Sequence, residues 1–318
     1  MNKPHPRVRL LTFAGLSLLS CAALAEAPDM DGMAIAREVY TVTHGGLVAN
    51  AVSKRDGRDS AVVINRVPTA MRHAGRRPSV QTFDTFVNNH PVDPELDSIR
   101  LAILTSGKAK GAGVMLEDYK DGERSSVITL WLPALRKFRR ISEPAHDDVW
   151  FGSTITYGEL SLRKPEHEVH ELIGEEIFDE CLPVMELAPE ERGRYTLDMP
   201  EPQCGHKGRP VYVVKSTTKF NKWWYDNHIS KIDKESFALY RTDYFKDGEK
   251  VKTLYIDWQS LDRPDPRISY PRFIYSVMHT DGKDSMVFVP RSTIELDVDL
   301  PDDFWTENTM KHYDRAER

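Results

Sequence analysis

The residues best suited to chemistry are those of His167-Glu168-Val169-His170. The motif is H-E-x-H, one residue short of the zinc-protease H-E-x-x-H. On a helix its imidazoles stand three apart and the general-base geometry is lost. On a strand the two rings point to opposite faces. With Glu166, Glu168 and Glu171 alongside, the stretch reads as a solvated charged segment, and no metal is expected. Gly152-Ser153 lacks the G-x-S-x-G context of a nucleophile elbow. Lys108 to Gly113 (KAKGAG) has neither the spacing of a phosphate loop nor a following helix pattern. Arg136-Lys137-Phe138-Arg139-Arg140 reads as a strand with its charges turned outward, a solvent face or docking patch. No catalytic constellation emerges and no cofactor is expected, so the chain reads as a non-enzyme.

Composition narrows the classes further. The 318 residues carry 43 Lys+Arg against 49 Asp+Glu, a formal charge of −6. That balance, with a pI near 6.0, argues against a nucleic-acid partner. Three cysteines are too few for a disulfide scaffold or a four-thiolate zinc site.

The N-terminus carries an export signature. Lys3, Arg7 and Arg9 precede an apolar run from Leu10 to Ala25, which ends in the A-x-A site Ala23-Leu24-Ala25. Residues 1–25 are expected to be a signal peptide, with the mature chain starting near Glu26 in a periplasm. Leu18-Leu19-Ser20-Cys21 offers the alternative of a lipobox, which would anchor the chain to the outer membrane through Cys21. In either case Cys181 and Cys204 remain as an even pair in an oxidising compartment and are expected to be bridged. The proline-rich, acidic segment between them reads as an irregular insert.

The elements that must position any site are mostly strands. Asp31 to His44 has apolar residues at helical spacing, with Asp31 as N-cap and Gly45-Gly46 as the stop. From about Ser98 the pattern becomes short strands: Ile99–Leu104, Gly113–Tyr119, Ser126–Leu132 and Lys137–Ile141. The later half continues with Val211–Thr217, Lys222–Ile232, Phe237–Phe245, Lys250–Trp258, Arg272–His279 and Asp284–Asp297. Asp247-Gly248 and Asp281-Gly282 read as hairpin turns, the signature of an antiparallel meander. Pro301 to Lys311 fits a short closing helix. The fold class is therefore mainly β with a few helices, built on one strongly curved antiparallel sheet over residues 26–318. Ser126–Leu132 and Lys222–Ile232 are apolar on both faces, so something must cover each face.

Several segments, in order, resemble a known family. They are Lys110-Gly111-Ala112-Gly113-Val114-Met115, then Leu130-Trp131-Leu132-Pro133-Ala134-Leu135-Arg136-Lys137-Phe138-Arg139-Arg140-Ile141. Trp150-Phe151-Gly152-Ser153, Thr156-Tyr157-Gly158-Glu159-Leu160 and the Trp223 to Tyr244 region follow. Together they resemble the LolA-like family of outer-membrane lipoprotein-sorting proteins. The resemblance implies a single half-open barrel lidded by helices and a periplasmic carrier of hydrophobic cargo, lipoprotein acyl chains or another lipid. It also implies an inner-membrane RND/MMPL-type exporter as a partner. Within that reading Trp131, Trp223 and Tyr225 are expected to line the lipid groove, since bulky aromatics can wall it while aliphatics pack beneath. The alternatives are an accessory subunit of an envelope transport complex, with the sheet filled by its own side chains, and a hydrolase on the same scaffold. A nucleophile within hydrogen-bond reach of a base in a polar pocket would favour the hydrolase.

Overall fold

A computed structural model of the chain describes residue 1 and residues 30–68, 77–142 and 144–316. The expected signal peptide and Cys21 lie outside the described residues. The chain divides into Met1–Met30 and Asp31–Arg318, and the second unit carries every helix and strand among the described residues.

Helix α1 (Gly32–Thr43) starts where the sequence pattern places it. The Asp31 carboxylate accepts from the Ala34 N–H at 2.7 Å, satisfying one of the first-turn amides. Gly45, at φ 65°, follows the His44 C-cap. Then come β1 (Asn50–Ser53), β2 (Ala61–Arg66), β3 (Ser79–Asn88), β4 (Leu96–Leu104), β5 (Gly113–Tyr119), β6 (Val127–Leu132) and β7 (Lys137–Ile141). After a stretch of short helical turns come β8 (Glu168–Ile177), β9 (Pro210–Thr218), β10 (Asn227–Asp233), β11 (Leu239–Lys246) and β12 (Glu249–Ser260). The chain ends with β13 (Ser269–Met278), β14 (Asp284–Phe288), β15 (Ile294–Leu296) and α2 (Glu307–Ala316).

All strands join one antiparallel sheet in the order β7-β6-β5-β4-β3-β2-β14-β13-β12-β11-β10-β9-β8, with β1 pairing β3 and β15. β7 and β8 end the order without pairing to each other, so the sheet stays open. Its curvature has local causes. Register slips at Leu96/Ser98, Leu172/Gly174, Lys231/Ile232, Tyr244/Phe245 and Asp257/Trp258 each insert a bulge that bends the strand. This is the half-open barrel that the motifs implied.

Alternate strand residues face opposite sides, so the registers define the two faces. Val52, Phe86, Leu101 and Met115 lie in one row across β1, β3, β4 and β5. They are buried together with Met310 and Tyr313 of α2. The close approach of α2 depends on Gly113: a Cβ there would sit 2.8 Å from the Met310 side chain. The adjacent row, Ala51, Val87, Arg100, Leu116 and Ile128, faces the other way.

Three segments depart from their sequence reading. The strand expected from Lys222 begins only at Asn227. Lys222 adopts a left-handed φ of 53°, and Asp226 ties the loop down by accepting from the Lys246 ammonium and the Asp247 N–H. β8 is a strand although its sequence reads as a solvated charged stretch. It is an edge strand whose outward residues mix apolar and charged side chains, with Val169 56% and Ile173 48% exposed beside the exposed Glu171, while Glu168 is 2% exposed. Asp284–Asp297 is two strands, because the chain turns at Pro290 and β15 leaves β14 to pair with β1.

Cys181 and Cys204 form a disulfide. Closing such a loop stabilises by roughly 3 kcal/mol in the chain-entropy account. The strap between them is irregular in path, yet Leu182, Met185 and Leu187 enter the main core.

Candidate functional site

α1 lies over the face opposite α2, and two cavities open along it. The first, of about 100 Å3, lies between one flank of α1 (Ala36, Val39, Tyr40) and β8–β12. The second, of about 220 Å3, lies under the C-terminal end of α1 and the loop after it. Its walls are largely apolar and include Val48, Ala51, Val87, Trp258, Leu261 and Ile268. Thr43 and His44 belong to both walls and separate the two spaces.

Few apolar contacts hold α1 down: only Gly32, Ile35 and Val42 are fully buried. Polar ties do the rest. Tyr40 donates to Asp118 at 3.2 Å, Arg267 pairs with Glu38 at 2.9 Å, and Arg100 donates to the His44 carbonyl at 3.0 Å. Burial and the Arg100 charge push His44 down to about 3, so its ring is neutral.

The first cavity has a polar floor. His170, Ser216, His228, Tyr244 and Lys252 lie opposite one another across β8 to β12, a row of hydrogen-bonding side chains on one face. Glu168 is its anionic centre. It accepts from the Tyr225 hydroxyl at 2.7 Å and lies 3.1 Å from His228 Nε2 and 3.7 Å from Arg163 Nε. Burial works against its charge, but His228 and Arg163 outweigh burial and hold the carboxyl far below its usual range. Arg163 reaches in from a single wide helical turn, Gly158–Leu162, whose closing bond runs from the Arg163 N–H to the Gly158 carbonyl at 3.1 Å. It donates to Tyr225 at 3.0 Å and to Tyr244 at 3.2 Å. The same turn brings Glu159 onto Lys252, an ion pair in which both side chains are 1% exposed.

One contact in this floor has catalytic form. His170 Nε2 lies 2.9 Å from the Pro165 carbonyl, which can only accept, so Nε2 carries the proton. Nδ1 then accepts from the Ser216 hydroxyl at 2.8 Å. Burial lowers the His170 pKa and keeps the ring neutral. No carboxylate orients this histidine, and β9 is paired on both sides, which engages the backbone donors around Ser216. Among the described residues no group of three or more His, Cys, Asp or Glu side chains is placed to hold a metal ion.

The aromatic residues singled out in the sequence lie elsewhere. Trp131 packs on Phe138, 4.6 Å between ring centroids, within the α2-covered core. Trp223 and Tyr225 wall a third space of about 10 Å3, the size of one water, beside His146 and Phe220. None of the three lines either larger cavity. The sequence reading missed the polar row because its members come from five strands. The available signal was local: Glu168 and His170, and His228 and Ser230, each sit two apart, the spacing that puts both on one strand face.

Comparison with known proteins places this geometry. The family model described as "-like: Uncharacterized protein" matches residues 97–312. The chain belongs to that family. A search of curated proteins finds no match. Among solved structures, a DUF1329 family protein from Desulfovibrio piger is 16% identical with a TM-score of 0.63, over 88% of this chain and 97% of that one. A putative outer membrane lipoprotein-sorting protein domain from Vibrio parahaemolyticus is 17% identical with a TM-score of 0.62, over 88% and 98%. A LolA superfamily protein from Nitrosomonas europaea is 12% identical with a TM-score of 0.50, over 88% and 99%. The fold is thus LolA-like, and the family match reaches from β4 to α2. No helix of the described residues is long and apolar enough to cross a membrane.

Proposed function

We propose that the protein is a periplasmic carrier that shelters the apolar part of a lipid, or of a lipid-anchored protein, under α1. The observation that carries this reading is the apolar 220 Å3 cavity beneath a helix with only three fully buried residues. Each buried methylene gains about 0.8 kcal/mol, so a carrier needs apolar wall rather than catalytic groups. The cavity falls short of the roughly 300–1,000 Å3 of an ordinary ligand site. Loading therefore displaces α1, and moving Thr43 and His44 merges the two spaces. The disulfide supports an oxidising compartment. The lipoprotein-sorting fold of the Vibrio structure supports lipidated cargo, and the family resemblance supports an RND/MMPL-type exporter as donor or acceptor. Native mass spectrometry of the exported chain, followed by lipid extraction, tests the reading. A bound lipid-sized mass is expected. Protein that stays lipid-free, even after incubation with vesicles, would favour an accessory subunit instead.

A second reading rests on the Ser216–His170 contact at 2.8 Å, that of a hydrolase. It requires an activated Ser216. Labelling of Ser216 by a fluorophosphonate probe, abolished by His170→Gln, would support it; an unlabelled serine would remove it.

A further inference from the structure

Among the described arginines that are not exposed, Arg100 is out of keeping with the others. Arg66, Arg163, Arg209, Arg241, Arg267 and Arg272 each have a carboxylate within 4.0 Å. Arg100, in the wall of the apolar cavity, has none among the described residues. Its guanidinium makes one hydrogen bond, to the neutral carbonyl of His44 at 3.0 Å, out of the five N–H donors it carries. Arg100 is half-buried, and a guanidinium does not shed its proton at any ordinary pH, so the cavity wall keeps its charge. The acids near it are committed or exposed. Asp118 is held by Lys164 at 3.1 Å and by Ser126 at 2.8 Å, and it also accepts from Tyr40; Asp97 is exposed. His44 is neutral. A second polar atom in the same wall is also unmet: Ser269 Oγ is buried with no hydrogen-bond partner. An apolar cavity holding an unpaired cation and a spare hydroxyl is complementary to one kind of guest.

We propose that this cavity takes an amphiphile with an anionic head, a carboxylate or a phosphate ester on an apolar tail, and that Arg100 is its counterion. The proposal rests on the carrier reading and names the cargo class of that site. The tail lies along Val48, Val87, Leu261 and Ile268, and the head accepts from the free N–H groups of Arg100. Charge-assisted, bidentate pairing of an anion to a guanidinium is the geometry for which arginine is best suited.

Displacement of a neutral fluorescent probe from the full chain tests this. Laurate, dodecyl phosphate and dodecanol share one tail and differ in the head. Laurate, dodecyl phosphate or both are expected to displace the probe at a concentration at least about tenfold lower than dodecanol, which corresponds to about 1.4 kcal/mol. Whichever anion is preferred names the head. Arg100→Gln, which keeps a donor for the His44 carbonyl, should erase the preference, and Arg100→Lys, which keeps the charge without the planar fork, should keep part of it. Equal displacement by all three ligands in the wild type would overturn the proposal and leave the carrier reading standing, whether or not the variants fold. Retained preference in Arg100→Gln would also overturn it. Acetate or inorganic phosphate binding as tightly as laurate would show an anion site without a tail and overturn it too. If none of the twelve-carbon ligands displaces the probe, the carrier reading fails as well.

Discussion

Lys252 and Glu159 form a buried ion pair beside the first cavity, with Lys252 also donating to the Thr154 carbonyl. Taking two charges out of water is costly, and mutual attraction repays it only while both partners are present. Lys252→Met should therefore destabilise by about 3–5 kcal/mol, since it leaves the Glu159 carboxylate unpaired, whereas Lys252→Met with Glu159→Leu should recover most of the loss. Urea unfolding of both variants checks this, and equal stability of the single and double variants would contradict it. The histidines set a pH dependence of a definite sign. Burial lowers His44 to about 3 and His146 to about 4, and it lowers His167 and His170 as well. Between those values and 6.5 the unfolded chain binds more protons than the folded one, so stability rises with pH and is fully present above about 6.5. The buried carboxylates such as Glu168 are lowered too and add their loss only at more acid pH. The melting temperature should fall from pH 7 to pH 5, ahead of carboxylate titration; a flat profile over that interval would contradict the buried neutral histidines.

At the scale of elements, α1 depends on its first residue. Gly32 sits against the backbone of β8, where a Cβ would stand 2.6 Å from the His170 carbonyl oxygen. Gly32→Ala must push the start of the helix off the sheet, at a cost of about 1–3 kcal/mol. Hydrogen exchange should show the loss of protection concentrated in α1, with β4 and β5 unchanged; an α1 as protected as in the wild type would show that the contact yields. This helix was legible in the sequence from its N-cap, spacing and glycine stop, and β5 and β7 were legible to the residue from their alternation and turns. β8 was not, because its outward side mixes glutamates with the exposed Val169 and Ile173 while its inward side carries Glu168 and His170, so polarity does not alternate along it. Trp223 and Tyr225 were misplaced for a different reason. Their alternation looks strand-like, but the left-handed Lys222 turns the chain, and aromatic packing on His146, Phe220 and Tyr244 holds them there. The polar row left only the two-apart spacing of Glu168 and His170 and of His228 and Ser230 as a signal, and the unpaired Arg100 left none, because burial and pairing across strands are properties of the register, not of any one segment.

At the scale of the whole unit, the two faces of the open sheet are covered in different ways. One face is closed by α2 on a row of large apolar residues, and the other is covered by α1 through few apolar contacts and several polar ties. A face held by polar ties opens at less cost than one held by buried area, which places the low-stability element over the cavities. The most direct measurement of a lipid site under α1 is the binding of a fluorescent fatty acid to wild type and to Ala51→Trp. Ala51 lines the apolar cavity, and the indole would occupy the space proposed for the lipid. Ala51→Trp is expected to fold with an unchanged or slightly higher melting temperature and to bind the probe at least about tenfold more weakly, a loss of about 1.4 kcal/mol. A folded Ala51→Trp that binds the probe as the wild type does would contradict a lipid site in this cavity.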